Sequence, residues 1–355
     1  MTIHVAGRGL ACSLGADIEA ALATLRAGGS TAGSRRLPGG LGGEFPYFAI
    51  RQTGDDWYAR ARDLVVRVAD EAGAARARNG TLFIATSSFD IGAVSPEAAA
   101  DYVGDYRAFV DQVAGWLEWS GPVIAVSTAC TSALNALISA QALLESGAAA
   151  DALVLGIELE NSLTLGGFAA LQLLSRTGCK PFGRDRDGLV LGEAVAALRL
   201  STHAESSWRL LGGANVVDGS QPTGAAASAV TAMLRQALAR SGLAASEIDL
   251  VKVQAAGSPG NDAAEAQGLR EAFERMPALV SLKAAIGHTM GAAGAAEIAL
   301  LLACLEGGVW PIDTGPTDPQ LGVDLASRSP EVVRRVMATI LGFGGSHAGV
   351  VLERA

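Results

Sequence analysis

Charge is what this sequence has least of: 18% of its 355 residues are charged, while 50% are hydrophobic. A disordered chain needs the opposite balance, so disorder is excluded. Lysine is scarcer still. Of 27 basic residues only Lys180, Lys252 and Lys283 are lysines, against 36 acidic residues and a net charge of −9. No basic run offers a face for a phosphate backbone, and nucleic acid is excluded as a partner. No uninterrupted apolar run reaches the roughly 18 residues of a membrane-spanning helix; Glu145 and Glu297 break the longest stretches. The opening MTIHVAGRGL lacks a basic segment followed by a long apolar core, so no secretory signal is expected. The cysteines, at 12, 130, 179 and 304, form no CxxC pair. No metal site is expected, and a reducing cytoplasm is the expected setting. GRGLAC after the first strand lacks the third glycine of a dinucleotide fingerprint, Cys12 standing there, and no G-x-S-x-G element occurs. No cofactor is expected.

What is present is an alternation of short Val/Ile/Leu runs with Ala-rich helical stretches. Strands are expected at Ile3–Val5, Thr81–Thr86, Val123–Ser127, Ala152–Gly156, Val195–Leu200, Leu250–Gln254, Val280–Leu282 and Gly349–Glu353. Helices are expected at Asp56–Ala75, Asp105–Trp116, Ser132–Ser146, Ala225–Ser241, Asp262–Arg275 and Ala292–Leu305. The interleaving predicts an α/β fold on a mostly parallel sheet.

Two helices, Ser132–Ser146 and Ala292–Leu305, are apolar around most of their circumference and should lie inside the molecule with no wet face. Each follows a strand and a turn of small and polar residues, and each ends in Glu, a small residue and Gly. One supersecondary unit occurring twice divides the chain into halves of 1–205 and 206–355. No linker rich in proline or charge separates them, so they should share a core.

The two turns carry the candidate chemistry. Cys130, in STACTSA, stands at the N-terminus of the first buried helix, where the macrodipole favours a thiolate. A buried cysteine among alanines is, taken alone, more often inert core. His288, in GHTMGAAG, holds the matching place in the second unit. A pseudo-twofold axis would bring both tips together as a nucleophile and its imidazole partner. His4 and His203 sit in peripheral contexts and receive no role.

STACTSA, KPFGRDRDGLVLGEA at 180–194, LKAAIGHTMGAAGAAE at 282–297 and GFGGSHA at 342–348 together resemble the β-ketoacyl-acyl carrier protein synthases. The layout of residues 101–200 is most similar to bacterial aryl-polyene-type ketosynthases. The resemblance implies a thiolase-like five-layered α/β/α/β/α fold of two pseudo-equivalent halves, usually dimeric, as a homodimer or with a second ketosynthase. It implies an acyltransferase acting on acyl and malonyl groups held on acyl carrier protein phosphopantetheine, in fatty-acid or polyketide synthesis. Cys130 matches the acyl-accepting nucleophile and His288 the second catalytic histidine. Lys283 matches the lysine preceding it, Glu297 that lysine's partner, and Phe343 the gating aromatic.

The departures are as specific. Gln254 stands where the family has its first catalytic histidine; Ala256 and Ser258 replace the following threonines; Pro259, Asp262 and Glu265 keep register; His347 replaces an asparagine. Ser258 and His347 are assigned with Phe343 to the acyl pocket. An amide at 254 can donate a hydrogen bond to a thioester oxygen but carries no proton or charge. This leaves two readings: an atypical condensing enzyme using Cys130, His288 and Gln254, or a non-elongating partner subunit of the chain-length-factor type. KPFGRDRDG is read as a structural turn whose Asp185 and Asp187 pair with arginines. Arg60, Arg62 and Arg67 on one predicted helix are the candidate patch for the acidic carrier protein.

Overall fold

The computed structural model describes residues 1–37, 43–51, 56–94, 104–220, 223–311 and 315–355. The first half runs β1 (Ile3–Cys12), α1 (Ile18–Arg26), β2 (Gly33–Arg36), β3 (Glu44–Phe48), α2 (Trp57–Glu71), β4 (Thr81–Ala85), α3 (Tyr106–Trp116) and β5 (Val123–Val126). It continues through α4 (Ser132–Glu145), β6 (Asp151–Glu158), α5 (Ser162–Ala170), β7 (Leu191–Gly192) and β8 (Ala194–Ser201). The second half holds β9 (Trp208–Val217), α6 (Ala227–Ser241), β10 (Leu250–Lys252), α7 (Pro259–Ala272) and β11 (Ala278–Val280). It ends with α8 (Lys283–Ile286), α9 (Ala293–Gly307), β12 (Arg335–Leu341) and β13 (Ser346–Arg354).

Ten strands form one sheet in the order β11-β10-β12-β13-β9-β1-β8-β6-β4-β5. Read outward from the β9–β1 contact, its arms are β9-β13-β12-β10-β11 and β1-β8-β6-β4-β5, the same order of equivalent strands. In both arms the outer three strands are parallel and the inner two return antiparallel. The sheet is therefore mixed, not mostly parallel. β1 and β9 meet only through Ile3↔Leu210 and His4↔Arg209, a narrow hinge that lets the arms stack as two layers.

Three apolar cores separate those layers. The central one takes Leu134, Leu137 and Leu144 of α4 with Ile298, Leu300 and Leu302 of α9. A second, with Val65 and Val68 of α2 and Phe109 of α3, lies outside the first arm. A third, with Met233 and Leu234 of α6 and Leu269 of α7, lies outside the second. Helices, sheet, helices, sheet, helices make five layers, as the resemblance implies.

α9 is buried from Ala293 to Cys304. With the turn before it, Met290–Gly307 is long and apolar enough to cross a membrane by length and composition, yet 83% of it is buried in the fold. It is a core helix. α4 departs from expectation: Ser139, Ala142 and Glu145 are exposed, so one side of it is wet.

Candidate active site

Both functional turns sit where a strand hands over to a central helix. After β5 the chain turns sharply, with Ala129 in the left-handed region at φ +52°. The Ser132 hydroxyl holds that turn, accepting from the Thr128 N–H at 2.9 Å and donating to the Ala129 carbonyl at 2.6 Å. The turn presents Cys130 just ahead of α4. In the second half, α8 and a left-handed Gly287 present His288, whose backbone is pinned on both sides. Its N–H donates to the Val190 carbonyl at 2.7 Å, and its carbonyl accepts from the Gly192 N–H at 3.0 Å.

The two tips meet. His288 Nε2 lies 3.0 Å from Cys130 Sγ, across 158 residues of sequence. Both side chains are buried. Burial pushes the Cys130 thiol up to about 11, although Lys283 and the backbone N–H groups of Phe343 and Cys130 pull it down. The helix terminus expected to favour a thiolate is thus outweighed by desolvation. Burial, then Lys283 and Lys252, hold His288 well below the usual histidine range. At neutral pH the pair is a thiol beside a neutral imidazole. His288 Nδ1, Thr289 Oγ1 and Gln254 Oε1 are buried polar atoms with no hydrogen-bond partner among the described residues.

Lys283 and Glu297 pair as expected, both fully buried. The sequence reading overlooked a third member. Lys252 Nζ, also fully buried, donates to Glu297 Oε2 at 2.7 Å and to the Thr339 carbonyl at 2.6 Å. A lone lysine in the apolar run LVKV was the available signal. Phe168 on α5 was overlooked too: its ring stacks on Phe343 with centroids 5.0 Å apart.

The glycine-rich loop is fastened to the nucleophile helix, since the Ser346 hydroxyl meets Thr131 Oγ1 at 2.9 Å. Gly345 turns at φ +75°, and a Cβ there would stand 1.6 Å from the Asp218 carbonyl oxygen, so no other residue fits.

Gln254 is buried just beyond β10. Its N–H and that of Ala255 donate to Glu265 at 2.7 Å, while Asp262 accepts from the N–H groups of Ala256, Gly257 and Phe182. These two carboxylates hold backbone, which explains how they keep register where the side chains between them have changed. Burial raises Asp262 to about 7. Ser258 becomes the N-cap residue of α7, half-buried, with no side-chain capping bond.

Three expectations are corrected. His347 does not face the cysteine. Strand alternation turns Ser346 and Ala348 toward the central core and His347, paired between Leu341 and Val216, toward the α6 side. Arg60 is no free surface cation: its guanidinium pairs with buried Glu193 at 2.8 Å, and its side chain is 9% exposed. Arg62 and Arg67 are exposed, Arg67 pairing with Asp63 at 2.6 Å. In KPFGRDRDG the turn is structural, but its bonds differ. Asp187 accepts from the hydroxyls of Ser175 and Thr177, and Arg186 pairs with Asp318 at 2.9 Å.

Five layers, two arms of identical strand order, and a cysteine and histidine meeting at the central helix tips define the thiolase-like class. Within it, residues 96–206 match the β-ketoacyl synthase N-terminal domain and residues 210–315 the C-terminal domain. The chain belongs to the β-ketoacyl synthase family. It is 30% identical over 253 residues to the 3-oxoacyl-[acyl-carrier-protein] synthase 2 of Mycobacterium bovis, the match covering 64% of this chain and 60% of that protein. A chain of the complex of a ketosynthase with its chain length factor from Xenorhabdus doucetiae superposes with a TM-score of 0.84 at 24% identity, over 100% of this chain and 98% of that one. A β-ketoacyl synthase from Burkholderia phymatum superposes with a TM-score of 0.83 at 22% identity, covering 100% and 99%.

Proposed function

We propose that this chain is an atypical ketosynthase that takes an acyl group onto Cys130 from carrier-protein phosphopantetheine and condenses it with a malonyl-type extender. The observation that carries this reading is the 3.0 Å contact between Cys130 Sγ and His288 Nε2 at the tips of two buried helices. In the first step His288 Nε2 takes the Cys130 proton as the sulfur attacks the acyl thioester, the S–C bond to Cys130 forms, and the pantetheine sulfur leaves, taking that proton from His288. The backbone N–H groups of Cys130 and Phe343, which already point at the sulfur, suit the oxyanion that develops there. In the second step the extender loses CO₂, its enolate carbon attacks the Cys130 thioester, and the Cys130 sulfur leaves. His288 and Gln254 are the proposed donors to the enolate oxygen. Losing one such donor costs about 2.7–4 kcal/mol, so an amide that still donates preserves part of the rate.

Lys283 and Glu297 are supporting residues, and Phe343, stacked on Phe168, is the pocket gate. Arg62 and Arg67 are what remains of the carrier-protein docking patch. Residues 1–205 and 206–355 are read as the repeated halves, on the equal strand order of the two arms. The chain is proposed to work as a dimer, with itself or with a second ketosynthase, through the open edge strand β5.

A second reading has a specific observation behind it. Gln254 lacks an imidazole, and the Xenorhabdus ketosynthase is paired with a chain length factor. In that reading the chain is the non-elongating subunit of a heterodimer. Intact-mass measurement after incubation with acyl-loaded carrier protein, with Cys130→Ala as control, separates the two. A Cys130-dependent acyl adduct supports the enzyme. No adduct, together with tight assembly onto a second ketosynthase, supports the partner subunit.

A further inference from the structure

We propose that Lys252 is a positioning residue that supplies, through Glu297, the positive charge that Gln254 cannot carry. The proposal rests on the condensing reading for its purpose and on geometry for its content. Glu297 is approached by two lysines at once, Lys283 on Oε1 and Lys252 on Oε2, and all three side chains are fully buried. A single pair would satisfy one carboxylate. Burying a second ammonium costs several kcal/mol of desolvation, which its bonds to Glu297 and to the Thr339 carbonyl offset.

Its placement on the strand says where that charge acts. Alternation sends Val251 and Val253 into the outer core, and Lys252 and Gln254 therefore face the central layer. The extended segment that lacks an imidazole at 254 carries a lysine two residues earlier, at the end of β10, on the same face and about 7 Å away along the chain. Lys252 also bonds the Thr339 carbonyl on β12 and Glu297 on α9, so it ties the strand bearing Gln254 to the helix that follows His288.

The charged groups around this cluster are few. Burial pushes the Lys252 ammonium below the usual lysine range, and Lys283 adds to that, while Glu297 and, farther off, Glu265 of α7 favour its charged form. Glu265 is already engaged by the N–H groups of Gln254 and Ala255 and by the Thr339 hydroxyl, and burial pushes it toward its neutral form. Beside His288 the acting charges are Lys283 and Lys252; beside Cys130 they are Lys283 and Glu158 of β6. Glu158 is itself held by Thr86, Ser87 and Ser88, and burial pushes it toward its neutral form. Two cations on one carboxylate leave a surplus of positive charge that disfavours imidazolium at 288 and favours negative charge on the reacting sulfur or on an enolate.

The test reads charge directly and needs neither carrier protein nor turnover. In Lys252→Met the iodoacetamide alkylation rate of Cys130 at pH 8 should fall about threefold or more, because fewer thiols are ionised. The His288 ring pKa, followed by NMR, should rise. Lys252→Arg should keep both near wild type, and Glu297→Gln should move both in the opposite direction. A folded Lys252→Met protein with unchanged alkylation and unchanged His288 titration would overturn the proposal. If neither Lys252→Met nor Glu297→Gln folds, Lys252→Gln, which removes the charge and keeps a donor toward Glu297, carries the same test: slower alkylation of Cys130 and a raised His288 pKa are expected, and no change in either overturns the proposal. Charge effects without any acyl adduct would retain this inference and remove the condensing reading; an adduct without charge effects would do the reverse.

Discussion

The two arms of the sheet are built alike and finished differently. β5 and β11 are equivalent outermost strands, yet Ile124 of β5 is 41% exposed and Ala125 is exposed, while Leu279 and Val280 of β11 are buried. The helices behind them differ in the same sense, α4 being wet along one side and α9 enclosed. Among the described residues one arm is closed by its own chain, and the other ends in an apolar edge strand with no further strand beside it, of the kind that sheets protect or pair. The arms differ at their tips as well. The first carries Cys130 just ahead of α4. The second keeps His288 but carries an amide at 254 and a lysine at 252. On the proposed reading the first arm carries the nucleophile and the dimer edge, and the second carries the groups that set the charge around them.

The sharpest way to break this contrast is at the tips. Cys130→Ala should abolish the acyl adduct measured by intact mass, and His288→Ala should slow its formation about 10²–10⁴-fold. If His288→Ala acylates at the wild-type rate, the second tip takes no part in that step. Next is pH. Because burial holds the Cys130 thiol near 11, the thiolate is a small minority at neutral pH. Its alkylation rate should climb about tenfold per pH unit from 7 to 10 with no plateau; a plateau near pH 8 would mean that the resting pair is ionised.

The helices give a smaller effect. Ala296→Leu in enclosed α9 should cost about 1–3 kcal/mol by denaturant unfolding, whereas Ala142→Leu on the wet side of α4 should lie within about 0.5 kcal/mol of wild type. Equal costs would show the difference in enclosure to be illusory. Smallest in folding energy is the edge: Ile124→Arg should leave the unfolding midpoint nearly unchanged while weakening the proposed dimer about tenfold or more by sedimentation. An unaltered dimer would move the interface elsewhere.

Much of this was legible in the sequence, and the failures share causes. The paired turns, the central helices and Cys130 with His288 were read from pattern and from the resemblance. The expected strand Ile3–Val5 is only the start of β1, and β9 was missed entirely, because glycines interrupt both. In β1, Cβ atoms at Gly7 and Gly9 would stand 2.0 Å from the Ala72 and Val68 carbonyl oxygens of the α2 segment. In β9, a Cβ at Gly212 would meet the Arg240–Ser241 backbone and one at Gly213 would meet Ile138 of α4. In these equivalent strands the residues that weaken a strand signal are the ones that let helices pack close. β12 was missed where EVVRRVMAT mimics helical spacing. Arg60 was misread because a helix shows its surface stripe in sequence but not a buried Glu193 waiting beneath one end. Lys252 was passed over because its partners lie on other elements, 45 and 87 residues away.

With only four histidines in the chain, the central pairing can be watched directly. Ring resonances of ¹³C-labelled histidine, recorded before and after carbamidomethylation of Cys130 with Cys130→Ala as control, should show one resonance moving, and it should vanish in His288→Ala. Four unmoved histidine resonances on a fully alkylated Cys130 would place sulfur and imidazole apart and contradict the account.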